Sequence, residues 1–415
     1  SSGKADTYKK AADPLLINSV SVIKADLSYE NTLIKNISGN IQIDKLSISK
    51  GKVSFSYNGG KYLADFAPIP GSNTGYEISA RSDKLSFSGT FIREKNNLLI
   101  DKLKGMYYVF YFSMRGEILD FLSEDKHISL NGTIDADLQS FSSLPGKAGD
   151  LAEKYSMSGL LRSNFTMQAK KPDLAQCEIK STFTGENLIF EKLRIKEIAG
   201  KMTVAEGRVI VPLVTGTVYN GTLSGEFRFD AAEKDLPYIC SLFIKNMDFG
   251  SFMDNMTGKK SDVFGNFNAD LSVQGYYRKP LTSEGTLKIS ITDANLGQMP
   301  VLTPVFGDIF DAARKIIPGA AREIIKEARG DFKITDGRLT TDNITFISDD
   351  ILVKSYGYLD FNGALDFRFE NEIRETSGNL SIEWQAALRN AIINLGKFIK
   401  KRRLYGTLKE PKWGI

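Results

Sequence analysis

The sequence predicts a mainly β fold: a long antiparallel meander sheet curled into an open, taco-like groove, with a few amphipathic helices. Three observations predict it. Apolar and polar residues alternate with period two along most of the chain, short turn dipeptides separate these runs, and helical spacing is confined to a few places. At 415 residues the chain has the length for one elongated sheet or for two to three compact domains. Apolar residues at 42%, charged residues at 25% and only 12 prolines mark it as folded, and 36 glycines suit many strand-to-strand turns.

The strands come in order. Val53, Phe55 and Tyr57 form an early run, followed by Leu85 and Phe87. Side chains two apart share a face, so each strand has one apolar and one wet side. The segment 106–114 differs, with Met106, Tyr108, Phe110, Phe112 and Met114 on one side and Tyr107, Val109 and Tyr111 on the other. It reads as a central strand covered on both faces. Later runs are Phe267, Ala269, Leu271 and Val273, then Leu287, Ile289 and Ile291 around Lys288 and Ser290, then Leu365, Phe367 and Phe369 around Asp366 and Arg368. Asn58-Gly59-Gly60, Asn131-Gly132, Asn220-Gly221, Asp336-Gly337 and Asn362-Gly363 favour tight hairpins. Hairpin after hairpin builds a sheet that grows along a line.

Helical spacing appears at 302–328, a pair of segments around Pro318 carrying Val305, Ile309, Ala312, Ile316, Ala321, Ile324 and Ile325. It appears again at 380–400, with Trp384, Leu388, Ile392, Leu395 and Ile399, and short helical turns are expected at 146–156 and 248–256. The hairpin device repeats: Gly200 to Arg208 parallels Gly330 to Arg338, and Tyr57-Asn58-Gly59 parallels Tyr219-Asn220-Gly221.

Several function classes are excluded. Fifty-four Lys and Arg against fifty Asp and Glu leave a net charge of +4, too small and dispersed for a nucleic-acid binder. His127 is the only histidine and reads as an exposed loop residue, so neither a histidine triad nor a histidine-rich metal site can be built. Asp135 with Asp137, and Asp349 with Asp350, read as solvated strand edges and turns rather than as an acid/base pair or a hard-cation site. A phosphate loop and a dinucleotide fingerprint are both missing, which argues against nucleotide use. The expectation is a protein that is not an enzyme and uses no cofactor, catalytic residue or metal. Cys177 and Cys240 are too few for a disulfide scaffold and leave room for one bridge between neighbouring strands. No run of 18 apolar residues occurs. Ser1-Ser2-Gly3 reads as a tag remnant, and an N-terminal anchor ahead of it is expected.

An order of features stands out from Ser156 onward. A strand, Gly-Arg turn and strand over 200–211 precede Tyr219-Asn220-Gly221-Thr222-Leu223-Ser224-Gly225, then Asn246-Met247-Asp248-Phe249 with a short helical stretch. Gly265 to Gly275 and Gly285 to Ile291 come before the longer helical region. Phe332 to Gly337, Asp342 to Ser348 and Ser355 to Asp360 follow it, and Gly406-Thr407-Leu408-Lys409-Glu410-Pro411 closes the chain. In this order, over about 260 residues, the chain resembles the C-terminal region of AsmA-like proteins. The organisation this suggests is an N-terminal β-groove segment, 1–155, and an AsmA-like region, 156–415, continuing the same sheet. The resemblance implies a periplasm-facing protein anchored to the bacterial inner membrane and related to bridge-like lipid carriers. Its implied partners are acyl chains of phospholipids or glycolipids on their way to the outer membrane, together with the membrane surface and other envelope proteins.

Physical chemistry leads the same way. Roughly twenty strands with about three apolar side chains each on one face expose more surface than the helical regions can cover. The cover is the sheet's own curl, a second sheet about 10 Å away, or acyl chains, each methylene of which gains about 0.8 kcal/mol on burial. The residues expected to line the groove are Leu271, Val273, Leu287, Ile289, Ile291, Phe332, Ile334, Ile344, Phe346, Leu365, Phe367 and Phe369. Lys400, Lys401, Arg402 and Arg403 read either as a contact with anionic headgroups, at about 1 kcal/mol per basic residue, or as a helix C-terminus favoured by its dipole. The competing reading is an envelope assembly module with a dry β-sandwich core, docking through its sheet edges.

Overall fold

The computed structural model describes residues 18–29, 32–44, 47–57, 59–123, 126–170, 176–260, 262–296, 325–348, 351–373, 403–408 and 410–414. The chain divides into two compact units, 1–134 and 135–415, a division that falls earlier than 155/156. The first unit holds β1 (Ser19–Tyr29), β2 (Thr32–Asp44), β3 (Ser47–Tyr57), β4 (Gly60–Pro68), β5 (Gly75–Arg81), β6 (Leu85–Glu94), β7 (Asn97–Tyr107) and β8 (Phe110–Leu119). β9 (His127–Asp137) runs across the division. The second unit continues with a 3-10 turn (Leu138–Ser143), α1 (Lys147–Lys154), β10 (Ser158–Ala169), β11 (Cys177–Phe190), β12 (Leu193–Ala205), β13 (Arg208–Val218), β14 (Gly221–Asp230), β15 (Pro237–Asp248) and α2 (Phe249–Thr257). It ends with β16 (Phe264–Tyr276), β17 (Lys279–Asn295), β18 (Glu327–Thr335), β19 (Arg338–Ile347), β20 (Ile351–Asp360), β21 (Ala364–Ile373), β22 (Arg403–Thr407) and β23 (Pro411–Gly414).

The strands make one all-antiparallel meander sheet that no pairing closes among the described residues. The mainly β meander with few short helices is therefore the observed fold. All the described strands belong to this one sheet, with no second, separately paired sheet among the described residues.

Hairpin turns follow from residues that tolerate positive φ. Glu206 and Gly207 (φ 51° and 76°) join β12 to β13, and Asp336 and Gly337 (φ 50° and 69°) join β18 to β19. Two central residues at positive φ define the type I′ turn, whose twist matches that of the strands. The paired motifs at 200–208 and 330–338 are thus two copies of one hairpin. Tyr219 and Asn220 (φ 41° and 62°) make the same turn between β13 and β14.

Two turn readings need correction. Asn131-Gly132 lies inside β9. A Cβ on Gly132 would come within 2.2 Å of the Ser113 carbonyl oxygen, so this glycine permits close strand approach and makes no turn. Conversely, 106–114 is not one strand. It is the tip of the β7–β8 hairpin, with Tyr107 opposite Phe110 and Met106 opposite Tyr111. Tyr108 takes φ 53° there without glycine or asparagine. Packing holds it: its ring meets Tyr107 edge-on at 4.8 Å, Lys84 lies 5.6 Å over it, and its N–H donates to the Lys84 carbonyl at 2.7 Å.

The short helices expected at 146–156 and 248–256 are α1 and α2. Asp248 caps α2 by accepting from the Ser251 N–H at 3.1 Å, and Gly258, at φ 71°, ends it with its N–H on the Asp254 carbonyl. Of the longer helical readings, 302–324 and 380–400 lie outside the described residues, while Glu327 and Ala328 already belong to β18. Cys177 sits on β11 and Cys240 on β15, four strands or about 19 Å apart at ~4.8 Å per strand. A disulfide needs Cα atoms within about 7 Å, so these two form none.

Candidate apolar sheet face

Cross-strand register puts all twelve predicted lining residues on one face of the second unit. One row runs Phe267, Ile291, Ala328, Phe346, Val353. The next runs Ala269, Ile289, Gly330, Ile344, Ser355, Phe369. Leu271, Leu287 and Phe332 align beside it, as do Gly357, Phe367, Leu404 and Trp413. The last row joins Val273, Gly285, Ile334, Leu339, Leu359, Leu365 and Gly406. Asp270, Lys288 and Asp331 lie across from one another on the opposite, exposed face.

The twelve divide by burial. Ile291, Ile334, Leu365 and Phe369 are buried, and Ile291, Leu365 and Phe369 belong to a core cluster with Phe249 of α2, Val263, Leu296, Val353 and Leu404. Phe346 and Phe367 pack against that cluster. Leu271, Val273, Leu287, Ile289, Phe332 and Ile344 stay half-buried and outside it. Within the cluster, the Phe249 ring of α2 stacks on Phe267 at 6.0 Å, and Phe252 and Met253 of the same helix pack against it. Tyr219 ties the helix to the hairpin ends: its hydroxyl donates to the Lys192 carbonyl at 3.0 Å and accepts from the Asn255 amide at 2.8 Å.

Sequence reasoning missed Leu404 and Trp413, which close the face on β22 and β23; Trp413 lies 5.2 Å from Phe369. Their signal was two residues in strands too short to display alternation. Ser355 was also missed. It lies in the middle row between Ile344 and Phe369, 1% exposed, and its hydroxyl has no hydrogen-bond partner. Other hydroxyls on this face are paired, Ser163 with Ser181 at 2.7 Å and Tyr238 with Ser283 at 2.8 Å.

The basic cluster resolves in part. Lys400, Lys401 and Arg402 lie outside the described residues. Arg403 opens strand β22, so it is not the last turn of a helix, and it grips Asp366 of β21 with Nε to Oδ1 at 2.6 Å and Nη2 to Oδ2 at 2.5 Å. That hydrogen bond holds the Asp366 carboxyl below the usual carboxylate range, against the opposing effect of partial burial. Two of the four carboxylates named above have structural partners. Asp135 pairs with Arg162 at 2.7 Å, and Asp137 accepts from the Gln139 N–H at 3.1 Å; Asp349 and Asp350 lie outside the described residues. His127 is exposed at the start of β9. Among the described residues no cluster of His, Cys, Asp or Glu could hold a metal, and no helix is long and apolar enough to cross a membrane.

Two depressions open on the polar sides of the sheet. One, of about 660 Å3, lies over β2–β7 and carries Lys52, Asp65, Ser79 and Ser88. The other, of about 880 Å3, lies over β15–β19 and is lined by Ser272, Thr286, Lys288 and Lys333 together with Val273, Phe332 and Ile334 of the predicted set. A twisted sheet is a saddle, concave along one diagonal on each face, so a polar-side hollow does not flatten the apolar side. No protein-family model and no curated protein matches the chain.

Proposed function

We propose that this protein holds lipid acyl chains against the apolar face of its sheet and shields or conducts them through the bacterial envelope, as a carrier rather than an enzyme. One observation carries the reading: Leu271, Val273, Leu287, Ile289, Phe332 and Ile344 form adjoining half-buried rows, and the described residues hold no second, separately paired sheet to cover them. Adjoining apolar rows of this width call for a cover. One long acyl chain laid along them gains on the order of 10 kcal/mol before entropy costs, with no specific polar contact required. In this reading the sheet's twist lets the apolar face curl around the chain as a groove. Each added hairpin lengthens the track by about 10 Å at ~4.8 Å per strand. The AsmA-like order of motifs supports a periplasmic site, inner-membrane anchoring and lipid movement toward the outer membrane, with phospholipid or glycolipid as cargo. Lys400, Lys401 and Arg402 are then the contact with membrane headgroups, Arg403 being engaged by Asp366.

The test is mass spectrometry of lipids that copurify with the wild type and with a Leu287→Asp/Ile289→Asp variant, both checked for folding by circular dichroism. Both residues lie outside the core cluster, so the variant should fold. Acyl lipids on the wild type and none on the folded variant are expected. A lipid-free wild type, or equal lipid on both, overturns the reading.

A further inference from the structure

The depression on the polar side of the first unit has a charge that its geometry does not require. Lys50 and Lys52 of β3 stand on one side, just inside Asn40 and Gln42 of β2, and Lys102 and Lys104 of β7 stand on the other, and these four lysines face only two carboxylates, Asp65 and Glu77. β3 and β7 stand about 19 Å apart at ~4.8 Å per strand, and both line one shallow hollow of about 660 Å3. Register explains the floor: Lys52, Asp65, Ser79, Ser88 and Lys104 lie directly opposite one another across five strands. Lys52 is 3.6 Å from Asp65, whereas Lys50, Lys102 and Lys104 have no carboxylate partner among the described residues. The comparable depression of the second unit has two lysines, Lys288 and Lys333, against three carboxylates, Glu284, Asp331 and Asp342. A saddle-shaped hollow on the polar side therefore does not dictate a lysine surplus.

We propose that this first depression binds an anionic saccharide, several sugar rings bearing phosphate or sulfate groups. The hydroxyls of Ser79, Ser88 and Thr90 and the carboxylate of Glu77 form a floor of donors and acceptors matched to sugar hydroxyls. The two lysine pairs supply mobile point charges for anionic groups at separated positions along the sugar chain. A single small anion cannot reach both pairs, which is why the ligand is an extended one. This site uses the face opposite to the acyl-chain rows and stands or falls independently of them.

Calorimetric titration of the full chain at low salt tests it with four probes: a sulfated tetrasaccharide, a phosphorylated tetrasaccharide, the matching neutral tetrasaccharide and inorganic phosphate. A charged tetrasaccharide is expected to bind, and the tighter of the two identifies the anionic group. Lys50→Gln/Lys104→Gln should weaken that binding at least about tenfold, the effect of losing charge-assisted contacts on both sides, while Lys288→Gln/Lys333→Gln in the other depression leaves it unchanged. Lys102→Gln alone repeats the test should the double variant not fold. The proposal is overturned if neither charged tetrasaccharide binds, if inorganic phosphate binds as tightly, or if the second-unit variant loses as much affinity as the first.

Discussion

Ile289 and Ile291 stand two residues apart on the same face of β17, and truncating each to alanine separates a covered surface from an open one. Either change removes three carbons, worth about 2.4 kcal/mol at ~0.8 kcal/mol per carbon when the site is fully buried. Ile291 is 7% exposed, packed in the core cluster and flanked by Phe267 and Ala328. A cavity there cannot close fully, which raises the cost of Ile291→Ala to about 3–4 kcal/mol. Ile289 is half-buried and flanked by Ala269 and Gly330. With less contact to lose and with solvent at hand to fill the gap, Ile289→Ala should cost about 1 kcal/mol. Urea unfolding of delipidated protein, followed by the fluorescence of Trp413 against Phe369, reads both. A gap of about 2–3 kcal/mol between the variants is expected. Equal costs would mean that Ile289 is as deeply covered as Ile291, and the case for an open apolar face would be refuted.

Two further outcomes follow from single contacts. Ser355→Ala should raise stability by about 1 kcal/mol in denaturant unfolding, because it removes a buried hydroxyl that has no partner; a loss of stability would mean that the hydroxyl is satisfied in solution. The Asp366 carboxyl, depressed chiefly by its hydrogen bond from Arg403, contributes stability that is present above the ordinary aspartate range and lost as pH falls through its lowered value. In a carbon-detected NMR titration Arg403→Gln should move the Asp366 midpoint up toward 3.8, and an unmoved midpoint would assign the depression to something else.

Legibility in the sequence depended on whether the deciding interaction was local. Asp336-Gly337 was readable because a type I′ turn needs residues that accept positive φ, a demand settled within two positions; Asn220-Gly221 marked the β13–β14 hairpin one residue late, its turn being Tyr219 and Asn220. Tyr108 meets the same demand through ring contacts with Tyr107 and Lys84, and Lys84 reaches it only once β6 and β7 have paired; no dipeptide rule finds it. Asn131-Gly132 carries the dipeptide and makes no turn, because β8 approaches Gly132 too closely for a Cβ. Period-two alternation put all twelve lining residues on one face. It could not say that Ile291 is buried and Ile289 half-open, since Ile291 packs in a cluster with Phe249, Val263 and Val353, which are distant in sequence.

The relief of the apolar face favours a flexible cover over a fixed one. Glycines recur on it in the second unit, and aromatic rings lie across some of them: a Cβ on Gly200 would meet the Phe183 ring at 2.6 Å, and one on Gly330 the Phe332 ring at 2.9 Å. Rings laid along the sheet in this way fill the glycine gaps, a device that steadies register where a side chain is missing. Such rings project little. A partner sheet sits about 10 Å away and is gripped by side chains that stand up and interdigitate, and rings lying flat offer it few ridges to grip. An acyl chain needs no matching ridges, because its burial is rewarded per methylene wherever it settles. The same glycines and aromatics that hold strand register thus keep the second unit's apolar rows low, as the proposed carrier needs.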